Sequence, residues 1–194
     1  YALWTTMRET KNSWLPALES LDFYHEPERL LYALKAIDSP EAVRPLLAAY
    51  TGGELSPAQQ AEALDAFAAH AGPADLGEAA AYVLNAKSFD DDRRAAHLNI
   101  LVGATRRRNI APEGDLSGLG GYLRRGSDLL KNAAMSAAGQ WKLAEHTNEL
   151  KTAAESGNSD LRRRETAMNA LSAMGGDVAT TTLVELSASN EPVE

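Results

Sequence analysis

The chain is 194 residues long, 44% apolar but only 6% aromatic, a composition that suits a packed core of alanine and leucine and excludes a disordered chain. Nineteen basic against 27 acidic side chains leave a net charge of -8, which repels phosphate backbones at long range and argues against nucleic acid as a partner. With no cysteine, disulfides, thiolate metal sites, a cysteine nucleophile and CxxCH haem attachment are excluded from this sequence, and no apolar run approaches the roughly 20 residues that cross a bilayer, so direct membrane insertion is not expected.

In chain order, the sequence opens on YALWTTMRET, already amphipathic, with neither an initiating Met nor a signal-like apolar stretch. Residues 1–194 are therefore expected to be a single domain belonging to a larger protein. Two helices in the leading residues 1–21 would carry Trp4 and Trp14. Leu30, Leu31, Leu34 and Ile37 then share a helical face, followed by Val43, Leu46, Leu47 and Tyr50, and by Ala61, Leu64, Phe67, Ala68 and Ala71. The same spacing runs through Leu76, Ala79, Ala80, Val83 and Leu84, through Leu98, Leu101, Val102 and Thr105, and through Leu129, Leu130, Ala133 and Ala137. It ends in Leu161, Ala167, Met168, Leu171 and Met174. The β-branched stretch VATTTLVEL would suit a strand, but a lone strand in an otherwise helical chain has no partner edge, so a helix is expected there too.

The punctuation is helical as well. Ser56-Pro57-Ala58-Gln59 places a capping serine, a proline in the first turn and a glutamine three residues on, which satisfies otherwise unpaired N–H groups; Ser39-Pro40-Glu41 repeats the cap and the proline. Asp90, Asp91 and Asp92 put negative charge at a helix start, where the macrodipole favours it, and so read as a cap instead of a metal site. Ser39, Gly72, Gly139 and Gly175, taken as equivalent corners, are 33, 67 and 36 positions apart, so a corner near residue 105 is missing or rewritten. A period near 33 or 34 belongs to helical repeats, in which no single unit buries its own apolar stripe and neighbours stack to close the core. The expected fold is all-α, an α-α superhelix of about six helical hairpins.

Two stretches resemble known families. LRRRETAMNALSAMGGDVATTTLVEL, residues 161–186, resembles a HEAT-like repeat of the short phycobilin-lyase type, which implies an armadillo-type solenoid and gives Arg164 the motif's basic position, facing the neighbouring interhelix turn. The Trp, Leu-Gly and Tyr positions of tetratricopeptide repeats and the T-P-L-H of ankyrin repeats are absent. The N-terminal 50 residues, with YALW and WLPAL, resemble the helical segment of planctomycete-type membrane-bound dehydrogenase and haem-binding proteins, where HEAT-like repeats lie between a β-propeller and a c-type cytochrome domain. That resemblance implies an extracytoplasmic or periplasmic location. The sequence departs from the full family in lacking both the propeller and any CxxCH, so it implies neither haem nor oxidoreductase activity for these residues.

Candidate chemistry is sparse. His25-Glu26 begins an HExxH-like string, but position 29 is Arg and Pro27 interrupts the helix two ligands would need; His70, His97 and His146 have no second ligand at metal spacing. No G-x-S-x-G elbow is present, and Gly114, Gly118, Gly120 and Gly121 lack the Lys-Ser/Thr of a phosphate loop, so a loop needing positive φ is expected. No catalytic, cofactor or metal residue is assigned. The candidate partner surface is Arg106, Arg107, Arg108, Arg124 and Arg125, which flank residues 109–123 and give residues 104–126 a local charge of +3. Arginine forks in a loop that interrupts a regular scaffold suit carboxylate or phosphate partners; the alternative is simple capping of helix C-termini. Arg162, Arg163 and Arg164 read as repeat positions, and Trp4, Trp14 and Trp141 as interface anchors or core fillers, with Trp141 packed after its corner.

The function expected is a non-catalytic scaffold contacting protein or adjoining domains of the parent chain, part of a large extracytoplasmic redox protein. The alternative is a HEAT-like enzyme of the lyase or DNA-glycosylase type using its concave face, the glycosylase needing a continuous basic groove, and a third possibility is a freestanding peptide-binding solenoid unrelated to the dehydrogenase proteins.

Overall fold

A computed structural model describes residues 2–16, 26–155 and 161–188; His25, with its HExxH-like string, and Asp160 lie outside the described residues. Among the described residues there are twelve α-helices and no strand. They are α1 (Ala2–Glu9), α2 (Lys11–Trp14), α3 (Pro27–Ile37), α4 (Val43–Thr51), α5 (Pro57–His70), α6 (Pro73–Asn85), α7 (Asp91–Arg108), α8 (Leu119–Arg125), α9 (Asp128–Gln140), α10 (Thr147–Glu155), α11 (Leu161–Met174) and α12 (Gly176–Ala188). The β-branched stretch is helical: it lies within α12, burying Ala179, Thr182 and Leu186.

Local sequence chemistry sets several ends. Ser56 accepts the Gln59 N–H, and the Gln59 side chain accepts the Ser56 N–H at 2.9 Å, closing the capping box behind Pro57. Asp90 caps α7 by accepting the Arg93 N–H at 2.8 Å. Ser39 does not cap: Pro40–Ala42 forms a 3-10 turn, and the Ser39 hydroxyl turns to the Glu41 carboxylate instead. Gly175 and Gly176 have φ of 66° and 78°, a left-handed pair that residues with a Cβ rarely adopt, which is why the step from α11 into α12 is Gly-Gly.

No corner falls at residue 105 itself; the rewritten one begins four residues later. Helix α7 runs unbroken past Thr105 and stops at Asn109 in the left-handed region (φ 51°), after which residues 110–118 cross to α8. This segment is packed down: Pro112 and Leu116 are buried, and the Glu113 N–H bonds the Pro73 carbonyl at 2.9 Å. A Cβ at Gly77 would lie 1.6 Å from the Glu113 carbonyl oxygen, so glycine in α6 is what lets the segment approach. Of the glycine patch, only Gly114 has positive φ (109°); Gly120 and Gly121 are helical, in α8. Gly139 is likewise no corner. It lies inside α9, where a Cβ would sit 2.4 Å from the Ala170 carbonyl oxygen, and the chain turns two residues later, at Trp141 and Lys142 (φ 58°).

The odd-numbered helices form a row, with α3 packing on α5, α5 on α7, α7 on α9 and α9 on α11. Helices α4, α6, α8 and α10 pack along α5, α7, α9 and α11 respectively, so of their two neighbours in sequence α5, α7 and α9 pack on the helix before and little on the one after. Six side-chain cross-links join residues 32 to 36 apart: Asp38 with His70 (32 residues), Arg44 with Glu78 (34), Asp91 with Ser127 (36), Thr105 with Trp141 (36), Arg106 with Gln140 (34) and Lys151 with Glu185 (34); others differ, as between Arg124 and Glu149 (25), Lys35 and Glu62 (27) and Tyr50 and His97 (47). The spacing of the six brackets the distance between the corners at Ser39 and Gly72. One hydrophobic cluster runs from Leu30 to Leu186, with Tyr50, Phe67, Leu98, Leu119, Leu130 and Met135 fully buried and alanines filling the gaps between helices.

Candidate functional site

The five candidate arginines do not form one patch. Arg106, Arg107 and Arg108 occupy the last turn of α7, while Arg124 and Arg125 end α8. Two residues past α8, the Ser127 N–H bonds the Asp91 carboxylate at 2.7 Å, which ties that end to the first turn of α7. At about 1.5 Å rise per residue, the two arginine groups are on the order of 20 Å apart along α7.

Each arginine has its own surroundings. Arg108 donates to the Ala68 and Ala71 carbonyls at 2.9 and 2.6 Å, capping the C-terminus of α5. Arg107 faces Asp65 at 3.8 Å with both side chains exposed. Arg124 pairs with Glu149 at 2.8 Å across a groove of about 550 Å³ that also carries Glu145, Asn148, Thr152 and Arg163. Arg125 is exposed on α8. Arg106 is different: the one hydrogen bond of its side chain among the described residues is a long one, Nε to the Gln140 side-chain oxygen at 3.4 Å, and it has no carboxylate partner there. It lines a groove of about 480 Å³ over α7, α9 and α11 with Ser136, Thr166, Asn169, Ser172 and Ala173.

That groove is made of small neutral polar side chains beside one guanidinium. Ser136, Asn169 and Ser172 have no side-chain hydrogen bond with any described residue, and the Thr166 hydroxyl donates to the Arg162 carbonyl at 2.8 Å, leaving its lone pairs free to accept. On α9, Asn132, Ser136 and Gln140 fall four residues apart on one face, and Asn99, Gly103 and Arg106 continue the surface onto α7. Sequence reading pointed to Arg106 but not to its neighbours. Serines and asparagines at helical spacing look the same on any solvated helix.

A second cluster is buried. The Tyr50 hydroxyl and His97 Nδ1 are 2.8 Å apart, with Tyr82 and Phe89 packed edge-on around them. Burial, with the nearby Arg93 charge adding to it, pushes the His97 imidazole down to about 4, and burial pushes the Tyr50 hydroxyl well above the usual phenol range. Arg94, 6% exposed, donates to the Val83, Ala86 and Phe89 carbonyls, and the Tyr122 hydroxyl donates to the Leu84 carbonyl at 2.5 Å, so the last carbonyls of α6 are satisfied by side chains from α7 and α8. Arg94 thus contacts an interhelix turn, the task that the HEAT-like resemblance gave Arg164; Arg164 makes no side-chain hydrogen bond or ion pair with a described residue. The Tyr50–His97 pair is buried among aromatic rings and lines neither polar groove.

The remaining sequence candidates are structural in their contacts. His70 Nε2 meets Asp38 at 2.9 Å, and His146 is buried in a 3-10 turn with its ring against Gly120. Trp141 is buried and donates to the Thr105 hydroxyl at 3.1 Å; Trp14 donates to the Met7 carbonyl, and Trp4 meets the Tyr32 ring edge-on at 5.4 Å. Among the described residues no three His, Asp or Glu side chains are grouped to hold a metal, and no helix is long and apolar enough to cross a membrane. The class that the geometry defines is an all-α protein with a polar surface groove. Comparison with known proteins finds no matching family model, curated protein or solved structure.

Proposed function

We propose that the chain is a HEAT-like, armadillo-type superhelix of stacked helical units whose role is non-catalytic: it presents the row α3, α5, α7, α9 and α11 as a surface for another protein or for adjoining domains of its parent. The observation that carries this reading is the set of six cross-links between residues 32 to 36 apart, which ties successive units together while the side chains of Ser136, Asn169 and Ser172 over α9 and α11 bond no described residue. Units that lean on their neighbours in this way build extended surfaces instead of enclosed cavities. The YALW and WLPAL phrases support placing this scaffold within a large extracytoplasmic redox protein. Against a nucleic-acid-gripping enzyme, the groove offers one cation, Arg106, where a continuous basic stripe is needed.

The test is site-specific photo-crosslinking in cells of the source organism, with the reactive side chain placed at Ser136 or Asn169 on the odd-numbered row and at Asn85 on α6 as the comparison. Protein adducts from the row and none from Asn85 are expected. Nucleic-acid adducts, or no adduct from any row position, would overturn the reading.

A further inference from the structure

The groove beside Arg106 differs from the other polar groove of the molecule in one decisive respect. Arg124 is neutralised by Glu149 at 2.8 Å, with Glu145 lining the same space, whereas no carboxylate among the described residues lines the Arg106 groove. The guanidinium of Arg106 is held at its Nε by Gln140, which leaves the two terminal nitrogens free. That is the fork that takes a carboxylate through two parallel hydrogen bonds. On a chain of net charge -8, an uncompensated cation set among neutral donors and acceptors marks a position where an anionic group is favoured locally, although the rest of the molecule repels it.

The neutral groups narrow the choice of anion. Ser136, Asn169 and Ser172 each offer both a donor and an acceptor, and Thr166 can accept as well. A phosphate presents acceptors almost exclusively and would use only half of this set. A polypeptide main chain alternates N–H donors with C=O acceptors and uses all of it, and the wall has no large apolar side chain that would ask for an apolar ligand. We infer that this groove binds an extended acidic peptide segment, with a Glu or Asp carboxylate on Arg106 and its main-chain amides on Asn169, Ser136 and Ser172. The inference rests on the protein-contact reading and adds the place and the chemistry of the contact.

The experiment uses the whole 15N-labelled chain titrated with acetyl-Gly-Ser-Glu-Glu-Ser-Gly-amide, and with the same peptide carrying Gln at both Glu positions. Saturable shifts are expected at the amides of residues 106, 136, 169 and 172, weakened by added salt, with the Gln peptide binding about tenfold more weakly or worse. Arg106→Gln should abolish the difference between the two peptides, while Arg124→Gln leaves it intact. Asn169→Ala, an exposed change that keeps the charge, should weaken both peptides together. The inference is overturned by equal binding of the two peptides, by shifts centred on Arg124 and Arg125, or by no saturable shift up to ~10 mM peptide. Protein crosslinks from the row that persist in Arg106→Gln would leave the scaffold standing while removing the carboxylate site, so the two failures are distinguishable.

Discussion

The Tyr50 hydroxyl on α4 lies 2.8 Å from Nδ1 of His97 on α7, joining residues 47 apart in a fully buried contact. The bond forms with a neutral imidazole, and the folded protein holds the ring neutral by pushing its proton affinity down to about 4. In the unfolded chain the same ring takes up a proton near pH 6.5. Between these values the unfolded state binds more protons than the folded one, so stability falls as pH is lowered from about 6.5 to about 4. The loss is on the order of 3 kcal/mol. His97→Gln keeps a partner for Tyr50 and has no proton to gain. Urea midpoints measured from pH 7 to pH 4.5 should therefore show wild type losing stability relative to the variant; a difference that does not change with pH would remove His97 as the cause.

Gly139 tests the close approach of α9 and α11. A Cβ there would meet the Ala170 backbone at 2.4 to 2.8 Å, and backbone cannot give way as the end of a side chain can. Gly139→Ala should cost about 1–3 kcal/mol, whereas Gly121→Ala in α8, where a Cβ meets nothing within 4 Å, should be neutral or stabilising by up to ~1 kcal/mol. Thermal melting of the two variants makes the comparison, and equal shifts would contradict the packing described.

Arg94 is a buried cation held by carbonyls at the C-terminus of α6, and its guanidinium also lies over the Phe89 and Tyr122 rings. Arg94→Lys keeps the charge but cannot span three carbonyls with a fork. A destabilisation of about 2–4 kcal/mol is expected, read as a lowered denaturant midpoint with faster amide exchange at residues 86–90. Unchanged exchange there would show that the turn does not depend on Arg94.

Removing residues 160–194 takes away α11 and α12 and uncovers the flank of α9 that includes Gly139. The truncated chain should melt lower and be cut by protease within α9, near Ala133 and Ala137, while losing the exposed, solvent-screened ion pair Lys151–Glu185 contributes little. Unchanged melting would mean that the units fold independently.

Much of the fold was legible because periodicity and caps are local. The Ser56 box and the Asp90 cap are decided within one or two helical turns and are found as their residues suggest, and so are most of the apolar positions from Leu30 to Met174; Leu129, Leu161 and Met168, read onto the same faces, are exposed instead. Glycines were read less well. Gly139 looked like a corner and Gly118 to Gly121 like a loop, because a glycine needed for positive φ and a glycine needed for close approach are the same letter. The candidate surface was half visible: the arginines stood out by charge, but nothing local separates Arg106 from Arg108, which is held by the Ala68 and Ala71 carbonyls 40 and 37 residues away.

By itself, then, the amino-acid sequence determined that this is a helical chain and where some of its helices begin, as at Ser56 and Asp90, since backbone satisfaction and apolar spacing act over a few residues. Tertiary structure alone decided which helices lie side by side, that Tyr50 meets His97, that Gly77 and Gly139 make room for other backbone, and that Arg106 faces a groove without a carboxylate while Arg124 is neutralised. The reason is physical: charge compensation and close packing depend on distances between segments tens of residues apart, which only the folded arrangement sets.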